Sequence, residues 1–96
     1  MSDLSLPESF VSASFHVLAD TCPGLLPRLL QPLAKRDLTA DEFHASREGD
    51  ATRVEMTLNA VPSGVVHLVA GNLGQVVGVR DVRVVRHAPE ALLRAA

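Results

Sequence analysis

The residues best suited to contact a ligand stand together in one short segment, Thr21-Cys22-Pro23-Gly24. The glycine would let the backbone approach a ligand, and a helix beginning here would present free N–H groups and a partial positive charge. A carboxylate suits such a site, and the Thr21 hydroxyl can donate or accept one further hydrogen bond. The segment therefore predicts either a ligand-binding turn or an ordinary strand-to-helix turn capped by Asp20 or Thr21.

The single cysteine, Cys22, limits the covalent and redox chemistry that the chain can carry. It cannot form an internal disulfide or supply a cysteine-rich metal site. A chain with a single cysteine fits a reducing cytoplasm. Because a helix N-terminus favours the thiolate, Cys22 is a candidate reactive thiol, the alternative being an inert residue of the turn.

Other polar residues do not form a pattern typical of catalysis or of metal binding. The histidines are scattered along the chain: His16, His44, His67 and His87. They have no ligand spacing and no accompanying cysteine or carboxylate cluster, so we expect neither a metal nor another cofactor. Asp41 and Glu42 are neighbours on a predicted strand and would point to opposite faces, which excludes a paired-carboxylate site. No serine, histidine and aspartate set has the context of a nucleophile elbow.

Charge and composition exclude two broad classes of partner. The formal net charge is −2 and the chain has three phenylalanines, whereas nucleic-acid binders carry a basic surface and aromatic stacking platforms. No stretch approaches the roughly 20 apolar residues of a membrane-spanning helix. The acidic first ten residues do not resemble a secretory signal. We therefore expect no nucleic acid and no membrane as partners, and a cytoplasmic protein.

The length of 96 residues predicts one domain with one modest aliphatic core, since 47% of the residues are hydrophobic and none is Trp or Tyr. Residues 1–10 are expected to be a loose leader, residues 11–87 the domain, and residues 88–96 a tail of one or two helical turns. The apolar content is high enough that an exposed face or edge is expected to need a partner.

The first half of the domain predicts a strand followed by a helix. Residues 11–19 alternate with period two, which is typical of a half-buried strand. A helix should follow from Pro23 to about Arg36, and Pro27 and Pro32 predict a kink or a delayed start. Helical spacing selects the residues expected to face the core: Leu26, Leu29, Leu30 and Leu33.

The second half predicts a hairpin, a helix and a last strand. Residues 39–47 and 52–59 should be strands joined by the turn at residues 48–50. A second helix should open at Pro62-Ser63 and run to about Val76, and a strand should cover residues 81–87. The apolar residues available to the core side of this helix are Val65, Val66, Leu68, Val69 and Leu73.

The order β-α-β-β-α-β predicts an α+β ferredoxin-like fold, with a four-stranded antiparallel sheet and both helices on one face. The other face would be open to water. It should carry the polar positions of the strands: Ser12, Ser14, His16, Arg53, Glu55, Thr57 and Arg83.

The strand-to-helix turn also resembles the signature turn of ACT domains, in which a strand ends in Asn or Asp, any residue, Pro and Gly, and an apolar pair opens the helix. Here the segment reads Thr21-Cys22-Pro23-Gly24-Leu25-Leu26. Two further segments are similar to the small subunit of acetolactate synthase, at its helix exit and at its second-helix end and fourth strand. They are Ala34-Lys35-Arg36-Asp37-Leu38-Thr39 and Leu73-Gly74-Gln75-Val76-Val77-Gly78-Val79-Arg80-Asp81-Val82. Together the matches span residues 13–86.

The resemblance implies the ACT-domain version of this fold and a non-catalytic regulatory subunit of the short type. Its implied partners are a second copy of the chain and the catalytic, thiamine-diphosphate-dependent acetolactate synthase subunit of branched-chain amino-acid synthesis. A branched-chain amino acid is the implied effector. The effector-contacting positions carried over are Thr21, Pro23, Gly24, Leu25 and Thr39. Thr21 stands where family members usually have Asn or Asp, and Thr39 where these regulators often have Asn.

Two alternatives follow from the same residues. One is a stand-alone amino-acid-binding ACT module that regulates another enzyme. The other is a small ferredoxin-like enzyme of the acylphosphatase type, because residues 74–80 are similar to that family's phosphate loop and end in Arg80. In acylphosphatases, however, the loop follows the first strand, whereas here it precedes the fourth.

Overall fold

The computed structural model describes residues 9–87, and its elements follow the predicted order β-α-β-β-α-β. They are β1 (Phe10–Asp20), α1 (Leu25–Ala34), β2 (Glu42–Glu48), β3 (Ala51–Pro62), α2 (Val66–Gly74) and β4 (Val79–His87). A 3-10 turn, Ser63–Val65, leads into α2. The predicted tail, and all but the last two residues of the predicted leader, lie outside the described residues.

The four strands form one sheet in the order β2-β3-β1-β4, and every pair of neighbours is antiparallel. Both helices contribute to a single core on one side of this sheet. The α+β ferredoxin-like fold predicted from the sequence is therefore confirmed.

The core forms because each element buries one regular set of apolar side chains. In β1, alternate residues from Ala13 to Ala19 are buried, as period two requires. The helices add the residues Leu25, Leu29 and Leu33 from α1 and Val66, Val69 and Leu73 from α2. Full burial of one such side chain contributes about 1.5–3 kcal/mol. Phe15 lies at the centre of the sheet, completely buried, opposite Met56 of β3 and Val84 of β4.

The opposite face of the sheet carries no helix in the described part of the chain, and the predicted polar positions all lie on it by strand register. His16 stands opposite Glu55 on one side and Arg83 on the other. Ser14 was expected to be exposed to solvent, but it is only 7% exposed. Its hydroxyl shares a 3.0 Å hydrogen bond with the Thr57 hydroxyl.

The predicted inward face of α1 was wrong in part. Leu29 and Leu33 are buried as expected, but Leu26 and Leu30 are 37% and 40% exposed. Leu25 and Pro32 occupy the core instead. The leucines of this helix cover more than one face, so spacing alone does not choose among the possible stripes, and contact with the sheet decides.

The start of α1 also differs from the expectation. Neither Asp20 nor Thr21 caps the helix, because Gly24 holds the N-cap position and no side chain accepts from the first turn. Pro23 precedes the helix rather than opening it. Pro27 falls in the first turn, where a helix has no internal acceptor for an N–H, and is tolerated there.

Several element boundaries shift for reasons visible in the hydrogen bonds. β2 begins at Glu42 rather than residue 39, and Asp41, just before it, bonds to β3 through both its side chain and its backbone. The Asp41 carboxylate accepts from the Asn59 N–H at 2.7 Å, and its own N–H donates to the Thr57 carbonyl at 2.8 Å. β3 continues to Pro62, which pairs with Phe10 at the end of the sheet.

The second helix is shorter than predicted, and one of its residues faces outward. A 3-10 turn occupies its expected start, and α2 ends at Gly74 rather than Val76. Leu68, which the sequence placed among the residues available to the core, is 41% exposed. β4 begins at Val79, ahead of the predicted Asp81, because Val79 already pairs with Ala19.

Candidate functional site

A pocket of about 430 Å³ lies at the β2 edge of the sheet, beside the start of α1. The turn after β1, the first residues of α1 and the facing ends of β2 and β3 enclose it. Its lining consists of Thr21, Cys22, Gly24, Leu25, Leu26, Pro27, Ala45, Ser46, Arg47 and Thr52. It is open on the outer side, where no strand pairs with β2 in the described chain.

The backbone at Gly24 defines the inner wall of the pocket. Its φ of 76° lies in the left-handed region, which favours glycine. The N–H of Leu25 donates to the Cys22 carbonyl at 3.3 Å, and the backbone N–H of Arg28 donates to the Gly24 carbonyl at 3.3 Å. Together these bonds turn the chain sharply from the strand into the helix.

Hydrogen bonds to the strands fix the position of this turn. Thr21 donates its N–H to the Asp50 carbonyl at 2.8 Å, and its hydroxyl shares a 2.8 Å bond with the Thr52 hydroxyl. Asp20 donates its N–H to the Gly78 carbonyl at 2.8 Å, and its carboxylate accepts from Arg80 Nε at 2.6 Å. The turn is therefore anchored to the β2–β3 hairpin and to the start of β4, which preorganises the pocket.

The donors in the pocket suit a negatively charged group. The N–H groups of Gly24 and Leu26 have no hydrogen-bond partner among residues 9–87. Arg47 lines the pocket, and its one side-chain hydrogen bond within residues 9–87 runs from Nε to the Gly49 carbonyl at 3.3 Å. No carboxylate stands among the lining residues within the described chain. The helix start and the guanidinium can thus hold a carboxylate.

The remaining walls are apolar or carry hydroxyl groups. Leu25, Leu26, Pro27 and Ala45 supply aliphatic surface. The hydroxyl groups of Thr21 and Thr52, which share a 2.8 Å hydrogen bond, can also donate or accept. A small ligand with an aliphatic part and a carboxylate matches this combination.

The structure brings together three of the five site residues carried over from the family resemblance. Thr21, Gly24 and Leu25 line the pocket, and Pro23 is exposed beside it without lining it. Thr39 lies outside the pocket, in the exposed connection before β2. That connection reaches the opposite end of the sheet, where Asp41 bonds to Thr57.

The sequence did not predict the part of the pocket wall that β2 and β3 form. Ala45, Ser46, Arg47 and Thr52 come from the β2–β3 hairpin. Ala45 and Arg47 pair with Val54 and Thr52 and therefore share the helix-bearing face of the sheet. This register was the available signal, because it assigns alternate residues of β2 to the face of the sheet that the helices cover.

Cys22 is half-buried and lies within reach of a cation. Its Sγ accepts a hydrogen bond from Arg28 Nη2 at 3.2 Å. No group of His, Cys, Asp and Glu within residues 9–87 is arranged to hold a metal ion.

The loop that is similar to the phosphate loop of acylphosphatases, residues 74–80, ends in Arg80, which forms ion pairs with carboxylates of this chain. Arg80 Nε lies 2.6 Å from the Asp20 carboxylate, and Arg80 Nη2 lies 3.8 Å from that of Asp50. These ion pairs tie β4 to the turn after β1 and to the β2–β3 turn, and a phosphate at Arg80 would have to compete with two carboxylates.

Sequence comparison gives no match: no family model and no curated protein matches the chain. Among the described residues, neither helix is long and apolar enough to cross a membrane.

Comparison with solved structures identifies the fold. The ACT domain of a GTP pyrophosphokinase from Chlorobium tepidum superposes with a TM-score of 0.66 and 13% identity, over 77% of this chain and 84% of that one. A homoserine dehydrogenase from Thiobacillus denitrificans gives 0.69 at 16% identity over 88% of this chain. This chain spans only 19% of that dehydrogenase. An uncharacterised Thermotoga maritima protein gives 0.67 at 14% identity, over 81% of this chain and 98% of that one. The chain therefore has the ferredoxin-like fold of ACT domains.

Proposed function

We propose that this chain is a non-catalytic regulatory domain that binds a small aliphatic amino acid in the pocket at the β2 edge. The observation that carries the proposal is one pocket that combines left-handed Gly24, two N–H groups without a partner among residues 9–87, and Arg47 of β2 beside aliphatic walls. The donors would hold the carboxylate, and the hydroxyls of Thr21 and Thr52 would accept from the ammonium group. Solved structures that share this fold include an ACT domain, which supports the regulatory part of the proposal.

A second copy of the chain is the proposed cover for the open side of this pocket. β2 is an edge strand, and an unpaired edge is a template for another strand. Next to it, α1 exposes Leu26, which lines the pocket, and Leu30 one turn further along. Two copies related by a two-fold axis would bury these leucines and close both pockets. Ligand binding and dimer formation would then be linked reciprocally.

The proposed larger partner is the catalytic subunit of acetolactate synthase. The support is the resemblance of residues 34–39 and 73–82 to its small regulatory subunit. The dimer would activate that enzyme by binding its active conformation more tightly than its inactive one. The candidate effectors are then valine, leucine and isoleucine, whose side chains fit an aliphatic wall. A stand-alone amino-acid sensor with a different partner enzyme would use the same pocket.

Calorimetric titration with L-valine, L-leucine and L-isoleucine tests the ligand. At least one should bind saturably, and Gly24→Asp should abolish the binding, because it adds a negative charge at the turn that would hold the ligand's carboxylate, while Asp tolerates a left-handed backbone. Gly71→Asp is the matched control, since that residue lies in α2 with open space around it. Absence of binding by all three amino acids, or equal binding by both variants, would contradict the proposal.

Co-purification with the acetolactate synthase catalytic subunit, followed by a rate assay with and without this chain, tests the partner. A complex and a higher rate are expected. Ligand binding without any complex would exclude this partner and favour the stand-alone sensor.

A further inference from the structure

A second, separate cleft lies between α1 and the segment that follows α2. It has a volume of about 270 Å³. Its polar lining consists of Arg28 and Gln31 of α1, Asn72 of α2, and the residues that directly follow the two helices, Lys35 and Gln75. No carboxylate contributes to it within residues 9–87. Positive charge and amide groups therefore converge on one small concavity.

Arg28 lacks the anionic partner that a half-buried guanidinium normally has. In the described chain its side chain makes one hydrogen bond, from Nη2 to Cys22 Sγ at 3.2 Å, and sulfur is a weak acceptor. Its Nε is sealed from solvent with no partner. Three other arginines in residues 9–87 do have carboxylate partners: Arg53 with Glu48, Arg80 with Asp20, and Arg83 with Asp81. Burying an unpaired charge is unfavourable, so an anion beside Arg28 would be stabilising.

The amide of Asn72 is also oriented as a donor. Its Oδ1 accepts from Arg36 Nη2 at 3.2 Å, which leaves the NH₂ end of the carboxamide as the free group. Gln31 and Gln75 each add an NH₂ group to the lining. Side-chain N–H donors are therefore available around the cleft, as an oxyanion requires.

We propose that this cleft is a binding site for a small oxyanion, the phosphate or carboxylate group of a small molecule. Arg28 and Lys35 supply the charge, and the carboxamides supply directional hydrogen bonds. The competing explanation is that these cations only complement the negative C-terminal end of α2.

The Arg28 guanidinium also lies beside two residues of the turn after β1, Gly24 and Cys22. Its Nη1 lies 3.5 Å from the position that a Cβ on Gly24 would occupy, and its Nη2 contacts Cys22. An anion that draws on the guanidinium should therefore change the environment of both turn residues.

The test is an NMR titration of the whole chain with sodium phosphate and, separately, with sodium acetate, at constant ionic strength set with sodium chloride. Saturable shifts are expected at the side-chain amides of Gln31, Asn72 and Gln75 and at the backbone amide of Gly24. Saturation with phosphate alone identifies a phosphate site, and saturation with acetate identifies a carboxylate site.

Matched variants separate a site from general charge attraction. Loss of one charge-assisted bond should weaken binding about tenfold in Arg28→Gln. Lys35→Gln, at an exposed position, should also weaken it and serves if Arg28→Gln fails to fold. Arg83→Gln removes the same charge from the open sheet face and should leave the affinity unchanged. Linear shifts with both anions, or equal affinity in Arg28→Gln and Arg83→Gln, would overturn the proposal and leave only complementation of α2.

Discussion

At the scale of single residues, Gly24 sets the shape of the turn, and its N–H and that of Leu26 have no hydrogen-bond partner among residues 9–87. The left-handed φ of 76° lets the chain leave β1 and enter α1 without a side-chain cap. A side chain here would meet only Arg28, at 3.5 Å, so the backbone conformation rather than space demands glycine.

Gly24→Ala should lower the free energy of unfolding by about 1–2 kcal/mol, because an L-residue is strained in the left-handed region. Gly71→Ala provides the comparison, since this helical glycine has open space around it and ordinary backbone angles. It should raise the free energy of unfolding by about 0.5–1 kcal/mol. Urea denaturation of both variants measures the difference, and a stabilised Gly24→Ala would show that the turn is not held as described.

Arg47→Gln should weaken amino-acid binding about tenfold, because the ligand carboxylate loses a charge-assisted bond. Arg83→Gln, on the open face of the sheet, is the control for the loss of one positive charge and should bind normally. Calorimetry measures both affinities. Unchanged binding by Arg47→Gln would remove this arginine from the site.

At the scale of elements, the sequence predicted the type and order of every strand and helix but not which side of α1 faces the sheet. Period two in β1 specifies its buried face uniquely, because a shift by one residue would put polar side chains inside. The leucines of α1 lie on several sides of the helix, so their spacing does not specify which side faces the sheet. The pocket wall was predictable only on the β1–α1 side, since Thr21 and Gly24 are neighbours in sequence. The Arg47 side depends on strand register across the hairpin.

The corrected face of α1 predicts unequal effects of two leucine truncations. Leu29 is fully buried, so Leu29→Ala should cost about 2–5 kcal/mol. Leu30 is 40% exposed. Leu30→Ala should change the free energy of unfolding by about 0.5 kcal/mol in the isolated chain. Thermal or urea unfolding at a concentration too low for self-association compares the two, and equal losses would contradict the assigned face.

At the scale of the whole molecule, the exposed residues Leu26 and Leu30 of α1 and the β2 edge of the sheet lie on the same side as the pocket. Leu30→Glu should therefore shift the chain towards monomer in sedimentation equilibrium while leaving its secondary structure unchanged. Leu68→Glu introduces the same charge at a residue of α2 that is 41% exposed and away from β2, and should remain dimeric. A monomeric wild-type chain at every concentration, or loss of the dimer only in Leu68→Glu, would contradict an interface on the β2 side.

The most direct measurement of the central claim is residue-resolved NMR of the chain during titration with branched-chain amino acids. The account predicts saturable shifts centred on Gly24, Leu26, Ala45 and Ser46, where the turn meets the sheet edge. Shifts confined to the open face around His16 and Glu55, or none with any of the three amino acids, would contradict it.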